Sequence, residues 1–439
     1  MASTPQLRAH SPGAEESGVS NSARWGIVSL LFLASAINYF DRGTISVALP
    51  LISTELHLGP EVKGALLASM YWSYALMQLP MGWLADRFSL RWLYAAAFAL
   101  WSLAQGLTGL AAGLTALIVL RVLLGIGESI YLPGGTKIVS QLFAPEKRGT
   151  PAGVFNCGTR LGLAVGAPLT ALLINHYGWR RMFVIVGVAA ILWLVPWLMI
   201  FPSRLVGPGL DAAKSVGTVL DPRTAGSSLG PTQARRRQIT LNRNLLGICL
   251  GFFCYDYYWY LLVGWLPDYL MTVRHLAILR AGFYSALPFL VFGAGQPIGG
   301  WIADRMISRG GDQTRTRKLI LAVAFLTGLL LIPAARVESA TVALWLIMGA
   351  SLVGLADANL IVIVQSCAPH DEIGMWTGFE NFAGNIAGIL GPIATGFLIK
   401  WTGSYFPGFA LAPAVLIAGL LCYWFIVGEL KPPSEIVHR

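Results

Sequence analysis

Long runs without a single Asp, Glu, Lys or Arg recur through this chain, at residues 64–85, 92–120, 161–179, 182–203, 281–303, 319–335, 339–356 and 401–428. A helix needs about 20 such residues to cross the hydrocarbon of a bilayer. A soluble domain carries roughly 25% charged residues, whereas 12% of these 439 are charged and the mean hydropathy is +0.64. So many runs exceed what a soluble core holds, and the chain is expected to be an all-α integral membrane protein. The net charge of +10 would suit nucleic acid, but the basic residues fall in loops between the runs, where membrane topology accounts for them.

Cutting at charges and Pro/Gly turns predicts twelve transmembrane helices, at 24–51, 61–83, 91–111, 114–138, 149–175, 180–201, 243–270, 279–303, 317–335, 340–366, 373–400 and 404–428. Residues 1–23 form a polar tail with no signal-peptide pattern. Residues 202–242, rich in Gly, Ser, Pro and Thr and carrying Arg235, Arg236 and Arg237, read as a flexible linker. Two six-helix bundles, 24–201 and 243–428, and a final tail, 429–439, complete the division. With the N-terminus cytoplasmic, 21 of the 31 basic residues face inward, Arg42, Arg121 and Arg160 lie in helices, and seven, Lys63 and Lys400 among them, face outward. Both termini and the linker are therefore expected in the cytoplasm. The five cysteines lie within or beside apolar segments, which speaks against a disulfide framework. His10, His57, His176, His275, His370 and His438 all fall in tails, loops or span ends, which disfavours histidine catalysis or a metal site in the membrane, and no cofactor is expected.

The halves repeat. Gly82-Trp83-Leu84-Ala85-Asp86-Arg87 recurs as Gly300-Trp301-Ile302-Ala303-Asp304-Arg305, and the Ala144-Pro145-Glu146 loop recurs as Ala368-Pro369-His370-Asp371-Glu372. Parallel six-helix repeats about an axis normal to the membrane build a central cavity between two bundles, the architecture of a rocking transporter.

Each charge inside a span costs about 2.5–3.5 kcal/mol on insertion scales and needs a reason. Those charges are Asp41, Arg42, Arg121, Glu128, Arg160, Asp256, Asp357 and Glu380. Arg121 and Glu128, two helical turns apart with Gly125 between, share one face. Arg121 offers a planar fork for a carboxylate, and Glu128 can titrate. Asp41 and Arg42 are adjacent, so they point about 100° apart and face different partners. Asp41 is a second protonation candidate, and Arg42 a counter-charge to an acid or a direct substrate contact. Sodium coupling would use the same carboxylates as oxygen ligands. Hydroxyl recognition falls to Tyr39, Tyr74, Gln78, Asn156, Thr159, Tyr255, Trp259, Asn381 and Asn385, with Tyr258 a further candidate, although any aromatic here can equally anchor at the membrane interface. Asp86, Arg87 and Arg91 read as a latch toward the other half. Asp304 and Arg305 are its second copy, while Arg309, Arg315, Arg317 and Lys318 read as topogenic charge.

The repeated Gly-x-x-x-Asp-Arg loop resembles the signature of the major facilitator superfamily. Asn38-Tyr39-Phe40-Asp41-Arg42, Gln78-Leu79-Pro80-x-Gly82-Trp83, Arg121-x-x-x-Gly125-x-x-Glu128 and Asn381-Phe382-Ala383-Gly384 are similar to its anion:cation symporter family, which includes sugar-acid transporters and animal organic-anion carriers. The resemblance implies a monomeric bacterial inner-membrane importer of a small organic anion, an aldonate, uronate or aldarate, by proton symport. It implies proton coupling at Asp41 and Glu128 and favours Tyr39, Tyr74, Thr159 and Asn381 as substrate contacts. Arg160, Asp256 and Asp357 depart from the pattern. Arg160 is either a ligand for a second substrate carboxylate or a counter-ion of those aspartates, which would favour a monocarboxylate. An organophosphate:phosphate antiporter and a sodium-coupled organic-anion symporter are the alternatives; a membrane enzyme finds no His-Asp or metal-ligand spacing in the loops.

Overall fold

The computed structural model describes residues 20–143, 149–202, 242–369 and 372–431. Most of the N-terminal tail, the linker with Arg235, Arg236 and Arg237, residues 144–148, His370, Asp371 and the last eight residues lie outside the described residues. Every described element is helical: α1 Asn21–Glu55, α2 Pro60–Arg87, α3 Leu90–Thr108, α4 Leu114–Leu142, α5 149–177, α6 179–200, α7 Arg243–Thr272, α8 Ile278–Ser308, α9 Gln313–Ala334, α10 Ala340–Cys367, α11 Ile373–Thr402 and α12 Phe406–Ile426. The expected helices are all present, displaced by a few residues at their ends.

Local chemistry sets the boundaries. Ser20, Asn242, Asp312 and Ser339 each accept a backbone N–H of the first turn they precede. Pro60 opens α2, where its missing N–H costs nothing. Gly178, at φ 79°, breaks one continuous rod into α5 and α6, and Gly403, at φ 66°, closes α11. Nine of the described helical stretches, counting α5 and α6 as one, are long and apolar enough to cross a membrane. The others are α2, diluted by Tyr71, Ser73, Tyr74 and Gln78, and α3.

Within the first half α1 packs along α5, and α3 and α2 pack on α4; within the second, α7 packs on α11 and α12, and α8 on α10. The halves meet through α2 against α11, α5 against α8 and α1 against α7, equivalent seams of the repeat. Gly158 and Gly162 let α5 lie on the backbone of α1, where a methyl would come within 2.4 Å of Phe32 O and 2.2 Å of Ala36 O.

The seams are tightest at the end of the molecule opposite the chain termini. Lys63 pairs with the fully buried Asp268 at 3.1 Å, Tyr405 donates its hydroxyl to the same carboxylate, and Lys400 pairs with Glu61 at 2.9 Å. Lys63 and Lys400, expected simply as outer charges, thus join the halves. The seam between α2 and α11 runs from there to Asn381, which donates to Gln78 at 3.4 Å. The far end is shut.

The latch residues work within their own halves in this conformation. Asp86 accepts from Lys137 of α4 at 2.6 Å, Arg87 stacks on Trp83, and Arg91 donates to Leu198 O. Asp304 pairs with Arg317 at 2.9 Å, and Arg305 lies over Trp301. Arg317 and Lys318 therefore have structural work beyond topogenic charge. Buried Arg317 joins Asp304 to Asn359, and Lys318 donates to Val427 O at the end of α12 much as Arg91 does at the end of α6.

Candidate functional site

Arg42, on α1, meets Glu128 where α4 breaks: the helix stops at Glu128 and resumes at Tyr131. Arg42 Nε donates to Glu128 Oε2 at 3.0 Å, and both side chains are shielded from solvent. Tyr39 and Tyr74 bracket the guanidinium, 4.7 and 4.5 Å from their ring centres, with Tyr71 at 5.9 Å. Cation–π contacts of this kind are worth about 2 kcal/mol when desolvated. The ion pair answers the choice left open for Arg42: its partner here is Glu128.

Asp41 and Arg121 complete a buried cluster behind this pair. Asp41 is fully buried, with Gln105 beside it as Asn38 is beside Glu128, and Nε and Nη2 of Arg121 have no hydrogen-bond partner among the described residues. Gly125 explains the spacing between Arg121 and Glu128, since a methyl there would lie 2.3 Å from both Met70 O and Ser73 Oγ of α2. Arg121 borders a void of about 10 Å³, between α1, α2, α4, α7 and α11. Tyr71 and Tyr260, with ring centres 4.6 Å apart, stand at this void. Arg121, expected as a direct substrate ligand, thus sits behind the larger polar cavity in this conformation.

A polar cavity of about 110 Å³ lies between the halves and is lined by Tyr39, Arg160, Phe252, Tyr255, Asp256, Trp259, Tyr260, Phe292, Asp357 and Asn381. Arg160 Nη2 reaches Asp357 Oδ2 at 3.5 Å and packs over Trp259 and Phe292. Asp357 also accepts from Tyr255 Oη at 3.0 Å and from the Gln296 side chain. It heads a helical segment that follows a 3₁₀ stretch, Ser351–Ala356, so an irregularity in α10 presents this carboxylate as the break in α4 presents Glu128.

Of the expected contacts, Tyr39, Arg160, Tyr255, Trp259 and Asn381 thus come together at the cavity, and Gln78 joins through Asn381. Tyr74 serves Arg42. Thr159 and Asn385 turn to their own helices in this conformation: the first donates to Asn156 O and the second to Asn381 O. Asn156 is exposed one turn nearer the termini, bonded to Tyr131 and to Ala152 O. Tyr258 is buried and donates to Ala350 O. Sequence reasoning missed Tyr71, Tyr260, Phe252 and Gln296, whose only signal was an aromatic or amide group in an apolar run.

Two helical bundles that enclose a charged cavity between them and close over it at one end have the architecture of a membrane transporter. The chain belongs to the Major Facilitator Superfamily, whose profile matches residues 31–388. It is 32% identical over 431 residues to the "Probable galactarate/D-glucarate transporter GudP" of Bacillus subtilis (strain 168), covering 94% of each chain. It is also 32% identical to the "Probable L-galactonate transporter" of Escherichia coli (strain K12), covering 91% of this chain and 88% of that one. Among solved structures it is similar to a bacterial homologue of the human lysosomal transporter Spinster in an inward-facing, occupied conformation, with a TM-score of 0.75 at 19% identity over 93% of this chain and 97% of that one. It is likewise similar to a D-xylose-proton symporter, with a TM-score of 0.70 at 15% identity over 93% and 98%. The family and the sequence relatives are transporters, not enzymes, and at these identities the structural neighbours speak for the fold alone.

Proposed function

We propose that this chain imports a sugar acid by proton symport through alternating access, as a monomer with both termini in the cytoplasm of a bacterium. The observation that carries the reading is the Arg42–Glu128 pair, buried at 3.0 Å between tyrosines beside the cavity wall. A proton on Glu128 cancels the charge that holds Arg42. The freed guanidinium then takes the substrate carboxylate, so proton and anion bind together. Asp41, fully buried and facing Arg121, is the second proton site.

The relatives named for galactarate, D-glucarate and L-galactonate transport support a sugar acid as cargo. In this orientation the shut far end is extracellular, which fits an inward-facing state. The bundles 24–201 and 243–428 rock about the cavity, joined by the linker 202–242, and the Asp86 and Asp304 loops form their inner latches when the other face opens.

The test is uptake of labelled galactonate, glucuronate and galactarate into proteoliposomes under an imposed pH gradient, acid outside. Concentrative uptake of at least one acid, abolished by a protonophore, is expected. Uptake that follows a sodium gradient, or that needs internal phosphate, would overturn the proton-coupled reading.

A further inference from the structure

The cavity wall opposite Arg42 carries more acid than base. Asp357 is held there by donors from three helices, Arg160, Tyr255 and Gln296, so its side chain is a fixed part of the wall. Arg160 is thereby already engaged. Asp256, one residue along α7 from Tyr255, lines the same wall and makes no ion pair among the described residues. Its carboxylate lies against α11 at Gly384, where a methyl would come within 2.1 Å of Oδ2. One turn away on α11, Glu380 is 4% exposed, and its Oε1 has no partner. One guanidinium thus faces two carboxylates at the cavity, with a third behind them.

We infer that Asp256 sets the substrate class: the cavity takes a monocarboxylate whose hydroxyl-bearing tail donates to Asp256, and it rejects a dicarboxylate. This rests on the sugar-acid reading above, in which Arg42 takes the one carboxylate. The hydroxyls of an aldonate tail supply donors that an ionised carboxylate accepts. The far carboxylate of an aldarate supplies none. To reach Arg160 it must displace Asp357, leaving three carboxylates, two of the wall and one of the substrate, around a single guanidinium. Like charges in a desolvated site suppress the wrong partner strongly. The inference runs against the galactarate and D-glucarate named for several of the relatives.

Thermal stabilisation of the purified protein by galactonate and by galactarate, which differ only at the far carbon, tests it, because a ligand of the folded state stabilises according to its concentration over Kd. Galactonate is expected to bind about tenfold or more tightly than galactarate. Asp256→Asn, which keeps the shape and removes the charge, should bring the two within about threefold of each other by improving galactarate. Equal or tighter binding of galactarate to the wild-type protein overturns the inference, as does an unchanged ratio in a folded Asp256→Asn protein. Should that variant fail to fold, the wild-type ratio decides alone. If neither acid stabilises the wild-type protein, the sugar-acid reading falls and takes this one with it; a reversed ratio sinks the monocarboxylate inference and leaves the sugar-acid reading standing.

Discussion

Glu128 is where charge, burial and backbone irregularity coincide, and its substitutions separate coupling from binding. Glu128→Gln mimics the protonated acid permanently. It should leave substrate exchange across the membrane measurable while lowering pH-driven accumulation about tenfold or more, since only a titrating group can release its proton. Unchanged accumulation by the variant would remove Glu128 from coupling. Arg42→Lys keeps the positive charge but loses both the fork and the flat face that Tyr39 and Tyr74 bracket. Its apparent affinity should fall about tenfold, or ~1.4 kcal/mol, and an unaltered affinity would place the carboxylate elsewhere. Asp41, Arg42, Arg121 and Glu128 were legible in the sequence because a charge within an apolar run stands out singly. Tyr71 and Tyr260 were not, since a tyrosine in such a run reads the same whether it meets lipid, core or cavity. The backbone hydrogen bonds of Thr159 and Asn385 were hidden for a related reason: spacing gives the face of a helix but not whether a side chain bonds its own backbone.

At the scale of elements, the seam between α2 and α11 is where the far end of the molecule closes. A methyl on Gly64 would stand 2.4 Å from Pro392 O, and one on Gly396 would stand 2.5 Å from Pro60 O. Both obstacles are backbone, so α2 and α11 must part to admit either side chain. Gly64→Ala and Gly396→Ala should therefore bias the protein away from this conformation. A cysteine replacing Ser46, buried here beside the small void, reports the shift in a background freed of native cysteines. Its labelling from the extracellular side is expected to rise several-fold in either glycine variant, and labelling no faster than in the parent would show that the seam is not the gate. Helix ends were readable to within a few residues from charges and Pro/Gly turns. The break after Glu128 and the 3₁₀ stretch before Asp357 were not, because packing against other helices makes them. Arg317 and Lys318 hid in plain view: a basic residue at a helix end satisfies the topology rule and a structural ion pair equally well.

At the scale of the whole molecule, the architecture was legible because charge-free runs count the spans and the repeated Asp-Arg loop pairs the halves. The shut far end was not, since one sequence supports every state of a transport cycle and the states differ only in which seam is closed. The cycle nevertheless has a measurable signature, the charge it carries. If Glu128 and Asp41 each bring one proton with a monocarboxylate, each turnover moves one net positive charge inward. A potential of 100 mV, negative inside, then adds about 2.3 kcal/mol of driving force, roughly 50-fold in accumulation. Asp41→Asn removes one of the two protons and should make transport electroneutral, so the response to potential is lost while the response to a pH gradient remains. Proteoliposomes clamped with potassium and valinomycin, with galactonate as substrate, measure both responses. Uptake by the wild-type protein that ignores the potential would rule out two protons per anion, and a voltage response retained in full by Asp41→Asn would move the second proton to another residue.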